Sequence, residues 1–522
     1  MPFHRDYPVR PGIAALPVDA ALPPAHRRLT LALPRWLPLL SIFLVAVTMR
    51  GFTLANLDTS WCLTMAEKVL DGQRLYVDII DVNPPATVFL FIVPAMLGRL
   101  SGIPAEYIAD ALVFLAAALS LWLCGRILRP VGLSDQQRWT LATLCAAALL
   151  ILPAYTFGER EHIALILFLP VLATAAVRAR RAHPDLLLAI VTGVCGGIVA
   201  IIKPHFAIPI VCVSAVAALH ARSWRPLFAL ENWIAAALLA VYVAVVVFAY
   251  PEFISDILPM AMVSYLPSKT PYLIMLEAFA TPCWVAAVIL TALLKRRAMV
   301  ELPYSLLLAG SVGFFIEFYV QQKGWNYHSY PMLALALIAL MMALIEQWRE
   351  HVVPPAVGRL KRLSSAFAAA VIVAVAQTWL SICMLDPRPL AQAVEAVKAH
   401  PKIMVLSDVL CVSFPLTRMV GGTFVGRASQ LWVTGTIWYR RKQGLQDPKT
   451  EALLDHYIAR DKAMFAEDVA KNRPDVIIVD KGRDLDWMGW ANSYPPLAAE
   501  MKLYEKFKTV GDFDVLRRRP GS

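Results

Sequence analysis

The chain has 522 residues, of which 58% are hydrophobic and 17% charged, whereas about 25% of residues are charged in an ordinary soluble domain. This composition argues against a water-soluble globular protein. The formal net charge is +11, but Lys and Arg interrupt apolar runs and do not form the basic, aromatic-rich face that nucleic-acid binding requires. Charged residues are dense only in the last 137 residues, which contain 38 of them against 49 in the preceding 385. We therefore expect a membrane domain followed by a water-soluble domain, and no nucleic-acid partner.

The first part of the chain divides into an arm and a series of apolar runs. Residues 1–36 are rich in Pro and Ala without a hydrophobic period, which predicts a disordered cytoplasmic arm. Residues 37–384 are predicted to form a transmembrane domain, because their apolar runs approach the roughly 20 residues that cross a bilayer. The first run lacks a cleavage pattern and is expected to be an uncleaved anchor. The eleven runs are approximately 37–55, 107–125, 139–154, 163–177, 186–202, 206–220, 232–250, 273–294, 302–320, 331–347 and 365–384.

The short apolar run from Ala86 to Leu100 decides the orientation. It is broken by Pro94 and is predicted to lie on the outer membrane surface, within one long external loop from Asn56 to Tyr107. With this choice the cytoplasmic segments carry 20 Lys and Arg residues, and the external loops of the membrane part carry 8. This asymmetry predicts a multi-pass protein of the inner (plasma) membrane, with a cytoplasmic N-terminus and an extracytoplasmic C-terminal domain.

The C-terminal domain, residues 385–522, alternates helix and strand signals. Helices are predicted at 390–400 and 451–471, and strands at 403–407 and 476–479. The fold class expected for the whole chain is therefore a membrane all-α protein with about eleven transmembrane helices, a long first external loop and a small extracytoplasmic α/β domain.

Ionisable side chains next to hydrocarbon cost about 2.5–3.5 kcal/mol each, so their positions indicate function. In this chain they cluster at the predicted external ends of the helices. Asp58 follows the first span. Either Asp58, Thr59 or Ser60 caps the next helix, or Asp58 acts as a general base. The other candidate acids are Asp78, Asp81, Glu159 and Glu161, and the candidate phosphate-binding residues are Arg160, His162, Lys203, His205, Lys323 and His328.

Structural explanations exist for several of these residues. Asp78 and Asp81 could belong to a simple turn, residues 158–162 could form a local ion network, and Lys203 could snorkel to the interface. An aromatic interface belt would explain the aromatic residues of 321–331 but not Lys323 together with His328. Together the cations suit a phosphate group, and no nucleotide-binding motif is present, so the expected ligand is a phosphate-bearing lipid.

These residues resemble those of polytopic glycosyltransferases of the GT-C superfamily. The resemblance is carried by Asp58 after the first span, the run 66–72, the Asn83-Pro84-Pro85 start of a surface helix, and the loop 323–331. It covers about 37–384 in layout and is closest to the group containing protein O-mannosyltransferases and the aminoarabinose transferase of lipid A. It implies a polyprenyl-phosphate-linked sugar as donor, a hydroxyl acceptor on a lipid, glycan or protein, an external active site, and inversion at the anomeric carbon.

By position, the resemblance makes Asp58 the general base and places a second acidic position on Glu159 or Glu161. The four other acids would bind the acceptor or a divalent metal ion, and the basic residues would bind the donor phosphate. Thr59 follows Asp58 where many relatives have a second acid, so the use of a metal is left open. The C-terminal domain would cover the site, and its Trp-rich stretches 432–439 and 487–490 either stack on sugars or, as the more frequent case, pack in the core.

The chemistry agrees with this resemblance. A polyprenyl phosphate leaves as a stable anion, so one base is sufficient, whereas glycoside hydrolysis uses two carboxylates. The main alternative is a polytopic transporter or lipid flippase, in which ionisable residues should reach the bilayer midplane in paired halves; no such halves are visible. A non-catalytic binding protein is a further alternative, but it leaves the carboxylate and the cationic loops unexplained.

Overall fold

The structure, a computed structural model, describes residues 34–349, 355–380, 382, 385–445 and 448–521. It is mostly helical (69%) with a small C-terminal sheet, consistent with a membrane all-α protein. The predicted N-terminal arm lies outside the described residues except for 34–36. The helices of the membrane part are α1 (Leu37–Phe52), α2 (Leu57–Leu70), α3 (Ala86–Ser101), α4 (Ala105–Ile127), α5 (Asp135–Leu150), α6 (Arg160–Ala179), α7 (Leu186–Ile202), α8 (Ala207–Ala221), α9 (Leu230–Ala249), α10 (Leu258–Val263), α11 (Tyr272–Glu277), α12 (Ala280–Leu294), α13 (Tyr304–Gln321), α14 (Tyr330–Arg349) and α15 (Pro355–Leu380).

Within the described residues, seven helices are long and apolar enough to cross a membrane. They are α4, α6, α9, α13, α15 and, each with the short 3-10 turn before it, α8 and α14. The other four predicted runs also contain helices, but α1, α5, α7 and α12 are only 15 to 17 residues long. The count of eleven spans therefore stays a prediction.

A sharp bend separates the first helix from the second. α1 and α2 meet at 75° across residues 53–56. They are long and apolar enough to cross a membrane only if the two together form one bent span. The surface helix predicted from Ala86 is α3, which contains Pro94 and ends at Gly102 in the left-handed conformation. Glycine favours that conformation because it has no Cβ. α2 packs on α3, and α3 packs on α4, so the first loop forms a helical layer of its own.

The C-terminal domain is built on a five-stranded sheet with strand order β2-β1-β3-β5-β4. The pairs β1–β2 and β1–β3 are parallel, and β3–β5 and β4–β5 are antiparallel. Both predicted strands and both predicted helices are present, whereas the hairpin β4–β5 is an addition to the prediction. The elements are α16 (Arg388–Glu395), β1 (Lys402–Leu406), α17 (Leu410–Ser413), α18 (Leu416–Met419), β2 (Thr423–Phe424), α19 (Trp432–Lys442), α20 (Glu451–Asn472), β3 (Val476–Asp480), α21 (Trp487–Asn492), α22 (Pro495–Met501), β4 (Tyr504–Val510) and β5 (Phe513–Arg518).

The sheet places one of its faces against the membrane part. Because side chains alternate along a strand, Ile403 and Val405 of β1 join a core that also contains Trp61 and Leu63 of α2. Met404 and Leu406, on the opposite face of β1, join a separate core under α20 to α22. The C-terminal domain and the segment 56–107 therefore share one hydrophobic core, which fixes the domain over the ends of the membrane helices.

Candidate active site

A cavity of about 560 Å³ lies where the segment 56–107, the ends of the membrane helices and the C-terminal domain meet. Seven of the residues predicted for the site line it. They are Asp58, Asp81, Arg160, Lys203, His205, Lys323 and His328. Segments far apart in the sequence therefore converge on one chamber.

Asp58 projects from the first turn of α2, and its carboxylate does not cap the helix. Asn56 is the cap, because its side-chain oxygen accepts the backbone N–H groups of Asp58 at 2.8 Å and Thr59 at 3.4 Å. The amide of Asn56 also donates to the backbone oxygen of Tyr155 at 2.8 Å, which ties the bend to the loop before α6. The capping alternative for Asp58 is therefore wrong, and its carboxylate is available to the cavity.

An ion pair followed by hydrogen bonds connects Asp58 with the turn before α3. Nη2 of Arg160 lies 3.7 Å from Oδ2 of Asp58, and Nη1 of Arg160 donates to the side-chain oxygen of Asn83 at 2.7 Å. Asn83 in turn donates from its amide to Oδ1 of Asp81 at 2.9 Å, and Trp61 donates to the other oxygen of Asp81 at 2.8 Å. The Arg160 guanidinium is thus held beside Asp58 by partners on both sides.

Glu161 holds Lys203 and His328 at a second part of the site. Its carboxylate is fully buried, and one oxygen pairs with the Lys203 ammonium and lies 3.3 Å from Nε2 of His328. Lys203 Nζ and His328 Nε2 are 3.1 Å apart. An opposite charge is what makes burial of a lysine tolerable, so Lys203 is a paired cation at the cavity wall and not a snorkelling one.

Glu317 is a buried carboxylate that the sequence analysis missed. It is 0% exposed near the end of α13, where it accepts a hydrogen bond from the Gln321 amide and lies 3.1 Å from Nε2 of His205. A carboxylate inside an apolar helix is the signal that could have revealed it. Glu317 therefore holds His205 at the cavity in the way that Glu161 holds Lys203.

Lys323 lines the cavity and has a structural role as well. Its ammonium donates to the backbone oxygens of Tyr265 and Ser268, both at 2.8 Å, and lies 3.9 Å from the centre of the Tyr265 ring. Burial, followed by the neighbouring Lys269 ammonium, lowers the pKa of Lys323 from 10.5 to about 8. Lys269 also lines the cavity, so this wall carries two cations.

The C-terminal domain closes the cavity from the other side. Leu410, Ser429, Gln430 and Trp432 line it, and the Trp432 ring meets the Tyr265 ring edge to face at 5.8 Å. The side-chain oxygen of Gln430 is buried, and no described residue donates a hydrogen bond to it. Of the two Trp-rich stretches, 487–490 packs in the core as the frequent case predicts. Trp432 also belongs to a core, but in addition it lines the chamber.

Four predicted residues do not line the cavity: Glu161, described above, and Asp78, His162 and Glu159. Asp78 accepts the backbone N–H of Arg74 at 2.9 Å and belongs to a turn, as its structural explanation requires. Both ring nitrogens of His162 are used, since it accepts from Gly158 N at 3.1 Å and contacts the Leu149 backbone oxygen at 2.7 Å. Neither nitrogen of His162 is therefore available to a phosphate. Glu159 is buried behind the site at 2% exposure.

The residues present do not fit a divalent metal ion. In the described ranges between 34 and 521, no three His, Cys, Asp or Glu side chains converge in a way that could hold one. Asp81 is occupied by Trp61 and Asn83, and Glu161 by Lys203. The positive charge next to Asp58 is the guanidinium of Arg160.

Comparison with known proteins gives no match, either to a protein-family model or to a curated protein. The resemblance to GT-C glycosyltransferases therefore rests on the residues that carry it. Function has to be argued from the chemistry of the cavity, because sites and not folds carry function.

Proposed function

We propose that the chain is an integral membrane glycosyltransferase that moves a sugar from a polyprenyl-phosphate donor to a hydroxyl group of a lipid, glycan or protein. The observation that carries this proposal is the position of the Asp58 carboxylate in a chamber that is also lined by Arg160, Lys203 and Lys323. Because Asn56 caps α2, this carboxylate is not used as the helix cap. A carboxylate base that faces several cations suits a displacement in which the leaving group is already an anion.

The proposed reaction is a single displacement. Asp58 accepts the proton of the acceptor hydroxyl as its oxygen attacks the anomeric carbon of the donor sugar. The bond between that carbon and the phosphate oxygen breaks, and its electron pair leaves with the polyprenyl phosphate. Attack from the side opposite the leaving group inverts the anomeric configuration.

Each basic side chain of the cavity has a role in this scheme. Arg160 favours the ionised form of Asp58 and is close enough to share the negative charge of the phosphate. Lys203, His205 and His328 form the wall behind it, held by Glu161 and Glu317. Holding donor and acceptor in one chamber supplies further acceleration, because two bound reactants behave as one molecule.

The proposal includes the eleven-span topology, with the cavity and the C-terminal domain on the extracytoplasmic side of the inner (plasma) membrane. Its support is the distribution of charge along α6. This helix has 20 residues and so spans about 30 Å, with Arg160 at the cavity end and Arg178 at the other. Arg180 and Arg181 follow Arg178, so the basic cluster expected in the cytoplasm lies at the end away from Asp58.

A lipid flippase is the second candidate, and Glu317 is the observation that favours it. A fully buried carboxylate in a candidate span is a feature of transport pathways. Glu317, however, lies only four residues before the end of α13, and its partners Gln321 and His205 belong to the cavity wall. The transferase explains both this position and Asp58, whereas the flippase leaves Asp58 without a task.

The experiment that separates the two functions follows the donor. Purified protein in detergent is incubated with a radiolabelled polyprenyl-phosphate sugar and a membrane-lipid extract as acceptor. The transferase releases polyprenyl phosphate and labels an acceptor without any bilayer. A flippase leaves the donor intact in detergent, and in proteoliposomes it only moves the donor from one leaflet to the other. An intact donor in detergent together with such movement in proteoliposomes would overturn the proposal.

A further inference from the structure

A second cavity, of about 470 Å³, lies at the end of the membrane helices away from Asp58. Two loops form it, one after α6 and one after α8. No Asp or Glu is among the described residues that line it. The lining residues are Arg178, Arg181, Ala182, His183, Ala221, Arg222, Ser223, Arg225, Pro226, Ala229 and Leu230.

The four arginines of this cavity differ in what they contact. Arg178 is neutralised by Glu231 through two parallel contacts of 3.0 and 2.9 Å, and it also donates to Nδ1 of His183. Arg181 donates from Nε to the backbone oxygen of Ala221 at 2.8 Å, which joins the two loops and leaves the outer guanidinium nitrogens available. Among the described residues no carboxylate forms an ion pair with the side chains of Arg181, Arg222 and Arg225, which are exposed.

Apolar side chains of the second loop flank these cations. Trp224 is 76% exposed and Phe228 is 65% exposed, and both are chain neighbours of lining residues. Aromatic residues with this exposure are typical of the membrane–water interface. A basic recess between membrane helices suits the head group of a lipid, and the aromatic residues beside it suit the first acyl carbons.

From this geometry we propose that Arg181, Arg222 and Arg225 form a binding site for the phosphate head group of an anionic phospholipid, on the membrane face opposite the glycosyl-transfer cavity. The guanidinium groups donate paired hydrogen bonds to the phosphate oxygens, and Trp224 and Phe228 contact the acyl chains. If these cations served only to orient the protein by the positive-inside rule, they would need only to lie on one side of the membrane. Their convergence on one recess, held by the contact of Arg181 with Ala221, is what indicates a ligand.

The test is a binding titration on the full-length protein. Detergent-purified protein is titrated with dioctanoyl phosphatidylglycerol or dioctanoyl phosphatidylcholine, and bound lipid is counted by native mass spectrometry. The triple variant R181Q/R222Q/R225Q is expected to lose about tenfold in phosphatidylglycerol affinity. The matched control R129Q/R296Q/R297Q removes three cations from other loops at the same end and is expected to bind like wild type.

Three results would overturn the proposal. One is equal binding of the two lipids by the wild type, and another is an equal loss in the two triple variants, which would indicate a general effect of charge. A third is displacement of phosphatidylglycerol by 10 mM inorganic phosphate, which would point to a soluble anion as the ligand. Matching thermal unfolding of both variants shows that folding is unaffected. The outcome is independent of sugar transfer.

Discussion

Replacement of Arg418 tests how the C-terminal domain is held over the cavity. In α18 the guanidinium of Arg418 forms two contacts with Glu67 of α2, at 2.7 and 2.9 Å, and a further contact with Glu106 of α4. The Arg418 side chain is 13% exposed, and those of Glu67 and Glu106 are 31% and 20% exposed. Substitution of Arg418 by Met keeps the aliphatic stem but leaves two carboxylates facing each other without a cation.

The expected cost follows from this partial burial. Breaking a fully buried ion pair costs about 3–5 kcal/mol, and water that reaches Glu67 reduces the cost here to about 2–3 kcal/mol. The control is Arg517→Met, because Arg517 and Glu505 form an exposed pair, 44% and 31% exposed, which contributes about 0–1 kcal/mol.

The assay is the free energy of unfolding, measured by SDS titration in mixed micelles for wild type and both variants. Residues 429–432 of the C-terminal domain form the roof of the cavity, and hydrogen exchange at these residues reports separately whether the roof opens. A free energy for Arg418→Met within about 0.5 kcal/mol of wild type, with unchanged exchange at the roof, would refute this account of the interface.

Three further predictions concern buried charges. Glu317→Gln keeps the hydrogen bond with Gln321 but replaces the carboxylate beside His205 with a neutral amide. We expect KM for the donor to rise about tenfold with kcat unchanged within about twofold, and a fall in kcat alone would argue against a positioning role. Because Lys323 has a pKa of about 8, it loses its charge as the pH rises through 8. Donor affinity should therefore fall between pH 7 and 9 in wild type and stay constant in Lys323→Gln. Parallel pH profiles of the two proteins would contradict this. Burial raises the pKa of Asp461 from 3.8 to about 6, so the folded state holds this proton more tightly than the unfolded chain. Stability should therefore decrease as the pH rises from 4 to 6, by about 2–3 kcal/mol, and Asp461→Asn should lose that dependence when unfolding is measured across this range.

Hydrophobic patterning predicted the elements of this chain well. Every predicted apolar run contains a helix, and the strands from Ile403 and from Val476 are present, because burial on one or both faces leaves a periodic trace in the sequence. The hairpin β4–β5 was missed. Its first strand, Tyr504–Val510, has many exposed positions and carries little hydrophobic signal.

The candidate site was predictable only in part. Charges beside apolar runs pointed to Asp58, Arg160 and Lys203, because ionisable groups are rare in such positions. The residue that caps α2 depends on where the helix begins after the bend at residues 53–56, and local sequence predicted Asp58, Thr59 or Ser60 where the structure has Asn56. The contribution of Gln430 and Trp432 depends on docking of the C-terminal domain, a long-range contact that no local pattern encodes.

The rate of sugar transfer in a single turnover tests the role of Asp58 most directly. Enzyme with pre-bound labelled donor is mixed with acceptor, and wild type is compared with Asp58→Asn and with Asp78→Asn, whose carboxylate belongs to a turn outside the cavity. Loss of a general base should slow Asp58→Asn by about 10²- to 10⁴-fold with donor binding retained, whereas Asp78→Asn should transfer at the wild-type rate. Transfer by Asp58→Asn at the wild-type rate would contradict the proposed mechanism.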